Sequence, residues 1–372
     1  MSRRRAQLWI FGLLMLWAPS AWAQIPYSQK MIPTRTALGR LGLERHWLSV
    51  VPLDGPERVL QINFSGGLLF AQTDSARVHV YDAESGKQLW TAELGDVMNS
   101  AVPAAANSYA VFMANSSWLF AFERYTGRFI WKAPLEFLPT SPIACDEHRV
   151  MLGLASGDIV AYEMKKKDDD GKEYIRLPPY KIWNWHSVGA MTSQALSADR
   201  VVIFGGADGK VYVAFSDERA MIYRIATGGP IGEGFGAHDT RTLIVPSADR
   251  NVYGVDLFTS KILWTFPTGA PVKQAPLVSG DDVLVINSAG SLSNLDPKNG
   301  SVRWTSQTHS ARLVSLTKSK IYLRSENRDL YQIDRATGNV LADPEATHQR
   351  AGLNLRDLEL GFTNRQNDRM YF

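Results

Sequence analysis

Along most of the chain, apolar and polar residues alternate over runs of five or six positions, and short polar turns separate the runs. The segment from Val78 to Trp90 reads VHVYDAESGKQLW, a strand, a turn and a second strand closed by an aromatic residue. The same register recurs in LFAFERYTGRFIW (119–131), VYGVDLFTSKILW (252–264) and LSNLDPKNGSVRW (292–304). Weaker copies are VYVAFSDERAMIY (211–223) and LYQIDRATGNVLA (330–342). A period of two predicts half-buried strands. Upstream of the turns lie further apolar runs, such as 200–204 and 282–286. Before these comes a third run, opened by Pro103, Pro142 or Pro276. Each unit is therefore expected to be a four-stranded antiparallel meander. Outside the N-terminus no long segment has helical periodicity.

The closing positions are 90, 131, 183, 223, 264, 304 and 342, in steps of 41, 52, 40, 41, 40 and 38 residues. A fixed period with one long step marks a stacked repeat carrying one insertion. The long step contains KKKDDDGKEYIRLPP, residues 165–179, read as a solvated loop. A lone meander cannot cover its own faces, whereas a ring of them can, leaving only short edges. The expected fold is an all-β, eight-bladed β-propeller, with seven blades as the alternative. Trp47, 43 residues before Trp90, supplies the eighth position. The partner strands of Trp47 are expected at the C-terminus, in LNLRDLELGF and DRMYF, so that the two ends close the ring. That arrangement leaves the last blade one strand short.

Seven residues are expected to dock blade on blade: Trp47, Trp90, Trp131, Trp183, Tyr223, Trp264 and Trp304. Large aromatic side chains suit a seam between sheets. Gly86, Gly127, Gly300 and Gly338 share one turn position, where a left-handed backbone is cheap for glycine. Asp82, Asp256, Asp296 and Asp334 stand four residues earlier, placed to hydrogen-bond the turn.

The N-terminus changes the picture of where the protein works. Arg3, Arg4 and Arg5 precede an apolar run from Leu8 to Ala18, and Ala21-Trp22-Ala23 offers small residues before Gln24. This predicts a secretory signal over 1–23, followed by an N-terminal extension over 24–45 and the propeller over 46–372. The signal holds three arginines and no acid, so the 40 basic residues fall to 37 against 37 acidic ones. A formally neutral mature chain points to no nucleic-acid partner. The single cysteine, Cys145, allows no internal disulfide, so burial and ring closure must stabilise an exported chain.

The repeat D-x-x-T/S-G-x-x-x-W, as in Asp82 to Trp90, resembles the tryptophan-docking motif of the quinoprotein (PQQ-like) propellers. The resemblance covers nearly the whole mature chain and is closer to the non-catalytic, BamB-like branch than to the dehydrogenases. For that branch it implies an exported scaffold that binds envelope proteins, with outer-membrane protein assembly as the family role. It also implies a monomer in the periplasm or cell envelope, associated with the outer membrane through its partner. The branch carries a lipid-anchoring cysteine at the signal cleavage site; here Ala21-Trp22-Ala23-Gln24 stands instead.

Candidate chemistry is sparse. The dehydrogenase branch would bring pyrroloquinoline quinone and calcium, but adjacent cysteines and C-x-x-C-H are absent from the sequence. No catalytic, metal or cofactor residues are assigned, and the expected cofactor set is empty. Gly232-Glu233-Gly234-Phe235-Gly236 opens a strand rather than a helix, so it reads as an inter-blade turn rather than a phosphate loop. Asp168-Asp169-Asp170-Gly171 lacks the ligand spacing of a calcium loop. Cys145 reads as a small buried residue. In Trp183-Asn184-Trp185-His186 one tryptophan fills the docking position, leaving Trp185 as a candidate surface aromatic for a partner or a glycan. A quinone-dependent oxidoreductase and a carbohydrate-binding propeller are thus the alternatives to a protein scaffold.

Overall fold

Central runs such as Leu68-Leu69-Phe70-Ala71 and Val202-Ile203-Phe204 are apolar on both faces, which fits strands sandwiched between neighbouring sheets. A computed structural model bears this out. It describes residues 34–99, 101–167, 170–198, 200–309, 311–325, 330–342 and 369–371. Among these lie one short helix, α1 (Arg35–Arg40), and seven four-stranded antiparallel sheets, each a meander of consecutive strands.

The first blade is β1 (Val59–Ser65), β2 (Leu68–Thr73), β3 (Arg77–Asp82) and β4 (Gln88–Glu93). The second is β5 (Ala105–Ala106), β6 (Ala110–Asn115), β7 (Trp118–Glu123) and β8 (Phe129–Pro134). The third is β9 (Ala144–Cys145), β10 (Arg149–Gly153), β11 (Asp158–Lys167) and β12 (Glu173–His186). The fourth is β13 (Leu196–Ala198), β14 (Val201–Gly205), β15 (Lys210–Phe215) and β16 (Met221–Ala226). The fifth is β17 (Gly236–Ala237), β18 (Thr242–Pro246), β19 (Asn251–Asp256) and β20 (Ile262–Pro267). The sixth is β21 (Leu277–Ser279), β22 (Asp282–Ile286), β23 (Ser291–Leu295) and β24 (Val302–Gln307). The seventh is β25 (Ala311–Leu316), β26 (Lys320–Ser325), β27 (Leu330–Asp334) and β28 (Val340–Ala342).

In every blade the pairing of the third and fourth strands slips near the docking position, as between Val80 and Tyr81 or Gly254 and Val255, and in the third blade it slips again between Glu163 and Lys165. A bulge of this kind strengthens the local twist. The core is not one mass but a series of seams. One buried cluster joins Trp131 of the second blade to Leu152, Val160 and Tyr162 of the third. Another joins Trp183 of the third blade to Phe204 and Tyr212 of the fourth. Buried amides stitch the inner strands across the seams. Asn63 donates to the Ala104 carbonyl at 2.9 Å and accepts from the Ala104 N–H at 3.2 Å. Gln274 makes the same double bond to Leu313, both at 3.0 Å.

The insertion differs from the sequence expectation. Instead of a solvated loop, residues 165–167 and 173–179 continue the two outer strands of the third blade as a β-ribbon, with Lys165 opposite Ile175 and Lys167 opposite Glu173. The physical reason is the alternation in Glu173-Tyr174-Ile175, which extends the existing ladder more cheaply than it could form a separate loop. Asp168 and Asp169 lie outside the described residues.

Between the seventh and first blades lie pieces of both termini. Leu41 is buried against Tyr322 and Leu330 of the seventh blade, with Leu43 and Met370 packed beside them. Trp47 and Tyr371 sit instead against the first blade, with Leu69 and Tyr81. Met370 and Tyr371 thus face opposite neighbours, as adjacent residues of an extended segment must. The signal segment and LNLRDLELGF lie outside the described residues, as do Asp368 and Phe372 of DRMYF.

Candidate interaction surfaces

Each blade is a meander, so its first and third turns emerge on one face of the ring. The second turns and the linkers between blades emerge on the other.

On the first face, the docking residues bind the third turn of the following blade. Trp47 Nε1 donates to the Ala83 carbonyl at 3.0 Å, Trp90 to Arg124 at 2.9 Å and Trp183 to Ser216 at 3.0 Å. Trp264 donates to Pro297 at 2.9 Å and Trp304 to Arg335 at 3.1 Å. Tyr223 makes the corresponding bond through its hydroxyl, to the Leu257 carbonyl at 2.6 Å. Trp131 is buried in the seam with Tyr162. Under most of these rings lies a turn glycine. A Cβ on Gly127 would stand 2.5 Å from Trp90, and one on Gly300 or Gly338 would meet Trp264 or Trp304 as closely; Gly86 faces Trp47 in the same way. All four glycines have φ near +70°, so both conformation and space demand glycine here.

The turn aspartates act as their positions suggested. Asp82 Oδ1 accepts from the Ser85 N–H and hydroxyl, and Asp334 Oδ1 from Thr337 in the same way. Hydrogen bonds from Ser85 hold the Asp82 carboxyl below the usual carboxylate range. Glu123 fills this role in the second blade, bonding Thr126.

Sequence reasoning missed an arginine clamp one residue after these acids. The Arg124 guanidinium donates to the Asn107 carbonyl at 2.7 Å and to the Gly66 carbonyl of the preceding blade. Arg335 donates to Thr317 in its own blade and to Ser279 and Asp282 in the preceding one. The carbonyls of both arginines accept the docking tryptophan. The signal was visible as E-R-x-T-G and D-R-x-T-G, but the reach of the side chain was not.

Trp185 does not stand free. It is half-buried in the seam between the third and fourth blades beside Trp183, with the Arg219 guanidinium 5.6 Å from its ring. Paired against Ile159 on β11, it extends the docking contact rather than presenting an open aromatic platform. Cys145 is half-buried on β9, and burial pushes its thiol up to about 12. The Gly232–Gly236 stretch is an inter-blade turn: the Glu233 N–H donates to the Lys273 carbonyl at 2.7 Å, and a Cβ on Gly232 would strike the same backbone.

Several exposed apolar residues lie on the second face. Val97, Phe137, Leu138 and Val188 all lie on linkers between consecutive blades, and Val188 is 92% exposed. In the fourth and fifth linkers the corresponding stretches are Gly228-Gly229-Pro230 and Gly269-Ala270-Pro271. Between the first and second blades a groove of about 710 Å³ opens on this face, lined by Glu93, Asp96, Val97, Trp118, Phe120 and Lys132 among others. Trp118 is one of the exposed aromatic residues, and the one exposed tryptophan among the described residues. Its exposure could not be read from β7 alone, because it depends on what the first blade places beside it.

Tryptophan-docked sheets of consecutive strands define a β-propeller of the PQQ-like repeat class. The family model described as outer membrane protein assembly factor BamB matches residues 56–232 and 209–361. The chain belongs to that family. BamB of Shewanella oneidensis strain MR-1 is 21% identical over 281 residues, covering 67% of this chain and 68% of that protein. Among solved structures, BamB from Moraxella catarrhalis superposes with a TM-score of 0.62 at 16% identity, covering 78% of this chain and 90% of that one. Saccharomyces cerevisiae Sqt1 gives the same TM-score at 11% identity, covering 77% and 85%. These two show the fold alone. Among the described residues no helix is long and apolar enough to cross a membrane.

Proposed function

We propose that this propeller is a non-enzymatic scaffold of the cell envelope, binding components of outer-membrane protein assembly as the family description suggests. The observation that supports it best is the placement of Val97, Phe137, Leu138 and Val188 on successive linkers of one face. Exposed apolar side chains on the loops of a rigid scaffold that serve no seam are candidates for partner contact. The signal-like N-terminus and the relative's name support a periplasmic location, with the outer membrane reached through the partner. The mature protein acts as a monomer in this reading.

The test is affinity capture from envelope extract of the source organism, using the signal-cleaved chain and a Phe137→Ser, Val188→Asp variant. The intact chain is expected to enrich an outer-membrane assembly protein, and the variant to lose it. Equal capture by both, or enrichment of no such protein, overturns the reading.

A further inference from the structure

The third turn of the sixth blade carries an amide where three of its counterparts carry a hydroxyl. Ser85, Thr126 and Thr337 stand just before the turn glycines of the first, second and seventh blades, and Asn299 stands before Gly300 in the sixth. Each hydroxyl accepts from the N–H two residues on, at 3.3 Å. The Asn299 side chain does the same through Oδ1, accepting from the Ser301 N–H at 2.9 Å. That bond folds the side chain back across the intervening peptide, so its carbonyl carbon is held beside the Gly300 nitrogen. Asn299-Gly300 is the single Asn-Gly pair in the sequence. Glycine has no side chain to hinder attack by its nitrogen.

The docked turn holds that nitrogen back. The Gly300 N–H donates to the Asp296 carbonyl at 2.9 Å, and the Asp296 N–H donates to the Ser301 carbonyl at 2.8 Å. The Gly300 φ of +71° is set under the Trp264 ring, which a Cβ on Gly300 would meet at 2.6 Å. Trp264 is tied to the same turn, donating from Nε1 to the Pro297 carbonyl at 2.9 Å. Asn299 is exposed and Gly300 half-buried. Water therefore reaches the amide, while the nucleophile stays engaged as long as the indole is docked.

We propose that Asn299 is a deamidation site gated by the Trp264 dock. When the seam between the fifth and sixth blades opens locally, the Gly300 nitrogen gives its proton to solvent base and attacks the Asn299 side-chain carbonyl carbon. A bond forms between that carbon and the Gly300 nitrogen, the bond to the amide nitrogen breaks, and ammonia leaves after taking up a proton. One water molecule opens the cyclic imide at either carbonyl, leaving aspartate or isoaspartate at position 299. Isoaspartate adds a methylene to the backbone of a turn that has no spare room beneath the indole, so the original dock is not restored. Local opening costs less than global unfolding. The modification thus records the opening of one seam rather than unfolding of the chain.

The test follows the signal-cleaved chain in mildly alkaline buffer, with and without denaturing urea, beside the free peptide DPKNGSVRW. Samples are quenched in acid, digested with pepsin, and read by mass spectrometry for amide-to-acid conversion and for isoaspartate. The unfolded chain and the peptide are expected to convert at similar rates, and the native chain at least about tenfold more slowly, as for any site that reacts only when its turn opens. Trp264→Phe, which removes the indole N–H, is expected to speed conversion in native buffer and to leave the rate in urea unchanged. Trp131→Phe, at the seam between the second and third blades, is expected to leave the rate at Asn299 as in wild type, which separates local opening from general destabilisation. Equal rates in the native and unfolded chain, no conversion in the free peptide, an unchanged native rate in Trp264→Phe, or equal acceleration by Trp131→Phe each overturns the proposal. Should Trp264→Phe not fold, the native-to-unfolded ratio of the wild-type chain decides.

Discussion

Tyr223 donates its hydroxyl to the Leu257 carbonyl at 2.6 Å, where five tryptophans elsewhere in the ring use an indole N–H. The turn that receives Tyr223 also departs from the repeat. Its left-handed position holds Ser260, at φ +56°, in place of glycine. The indoles of Trp47, Trp90, Trp264 and Trp304 lie over a turn glycine, whereas the Tyr223 phenol docks on a turn that carries a Cβ, as the Trp183 indole does at Ser216.

Exchange of the partners is expected to be coupled. Gly127→Ala forces a methyl group into Trp90 and strains a positive φ, costing about 2–4 kcal/mol. Tyr223→Trp is expected to destabilise the chain, and addition of Ser260→Gly to recover much of the loss. Urea unfolding of both singles and the double gives the coupling energy; additive effects would show that the two positions are independent.

Arg124 and Arg335 tie three carbonyl-bearing turns together from two adjacent blades. Arg335→Lys keeps the charge but cannot span the Ser279, Thr317 and Asp282 acceptors at once. A loss of about 1.5–3 kcal/mol is expected, in line with hydrogen bonds to charged groups. Thermal unfolding should place the lysine variant nearer alanine than wild type.

Acid should unlock the segment that precedes the first blade. Burial works against ionisation of Glu57, but hydrogen bonds from Ser75, Thr73 and the Asp54 N–H, with the Arg77 charge, hold its carboxyl down at about 2. Because the folded value lies below the usual 4.5, this stabilisation is full above about pH 4.5 and fades as pH falls toward 2. His79 acts earlier. Burial lowers its pKa below 6.5, so stability falls with acidification once pH drops through 6.5. In stability–pH curves, Glu57→Gln should flatten the lower limb and His79→Gln the upper one.

Cys145 should resist thiol reagents. With its thiol pushed up to about 12, little thiolate exists at pH 8. Reaction with Ellman's reagent is expected only on the timescale of unfolding, and to become immediate in denaturant.

The local chemistry of the repeat was legible in the chain because it is short-ranged. A period-two strand, a glycine with positive φ and an acid four residues before it are all set by neighbours within a dozen residues. So the meander, the turn acids and the docking tryptophans could be placed from sequence. Glu123 escaped only because a longer carboxylate does the work of aspartate. What the sequence could not determine depends on residues brought together across a seam. Trp118 is exposed beside a groove between the first and second blades, while Trp185 is half-buried in the seam between the third and fourth. The reach of Arg335 to Ser279 is of the same kind. The insertion reads as a loop by composition, yet 165–167 and 173–179 become strand because β11 and β12 already supply the ladder. Burial of a side chain is a property of what the ring places opposite it, and only the tertiary structure decides that.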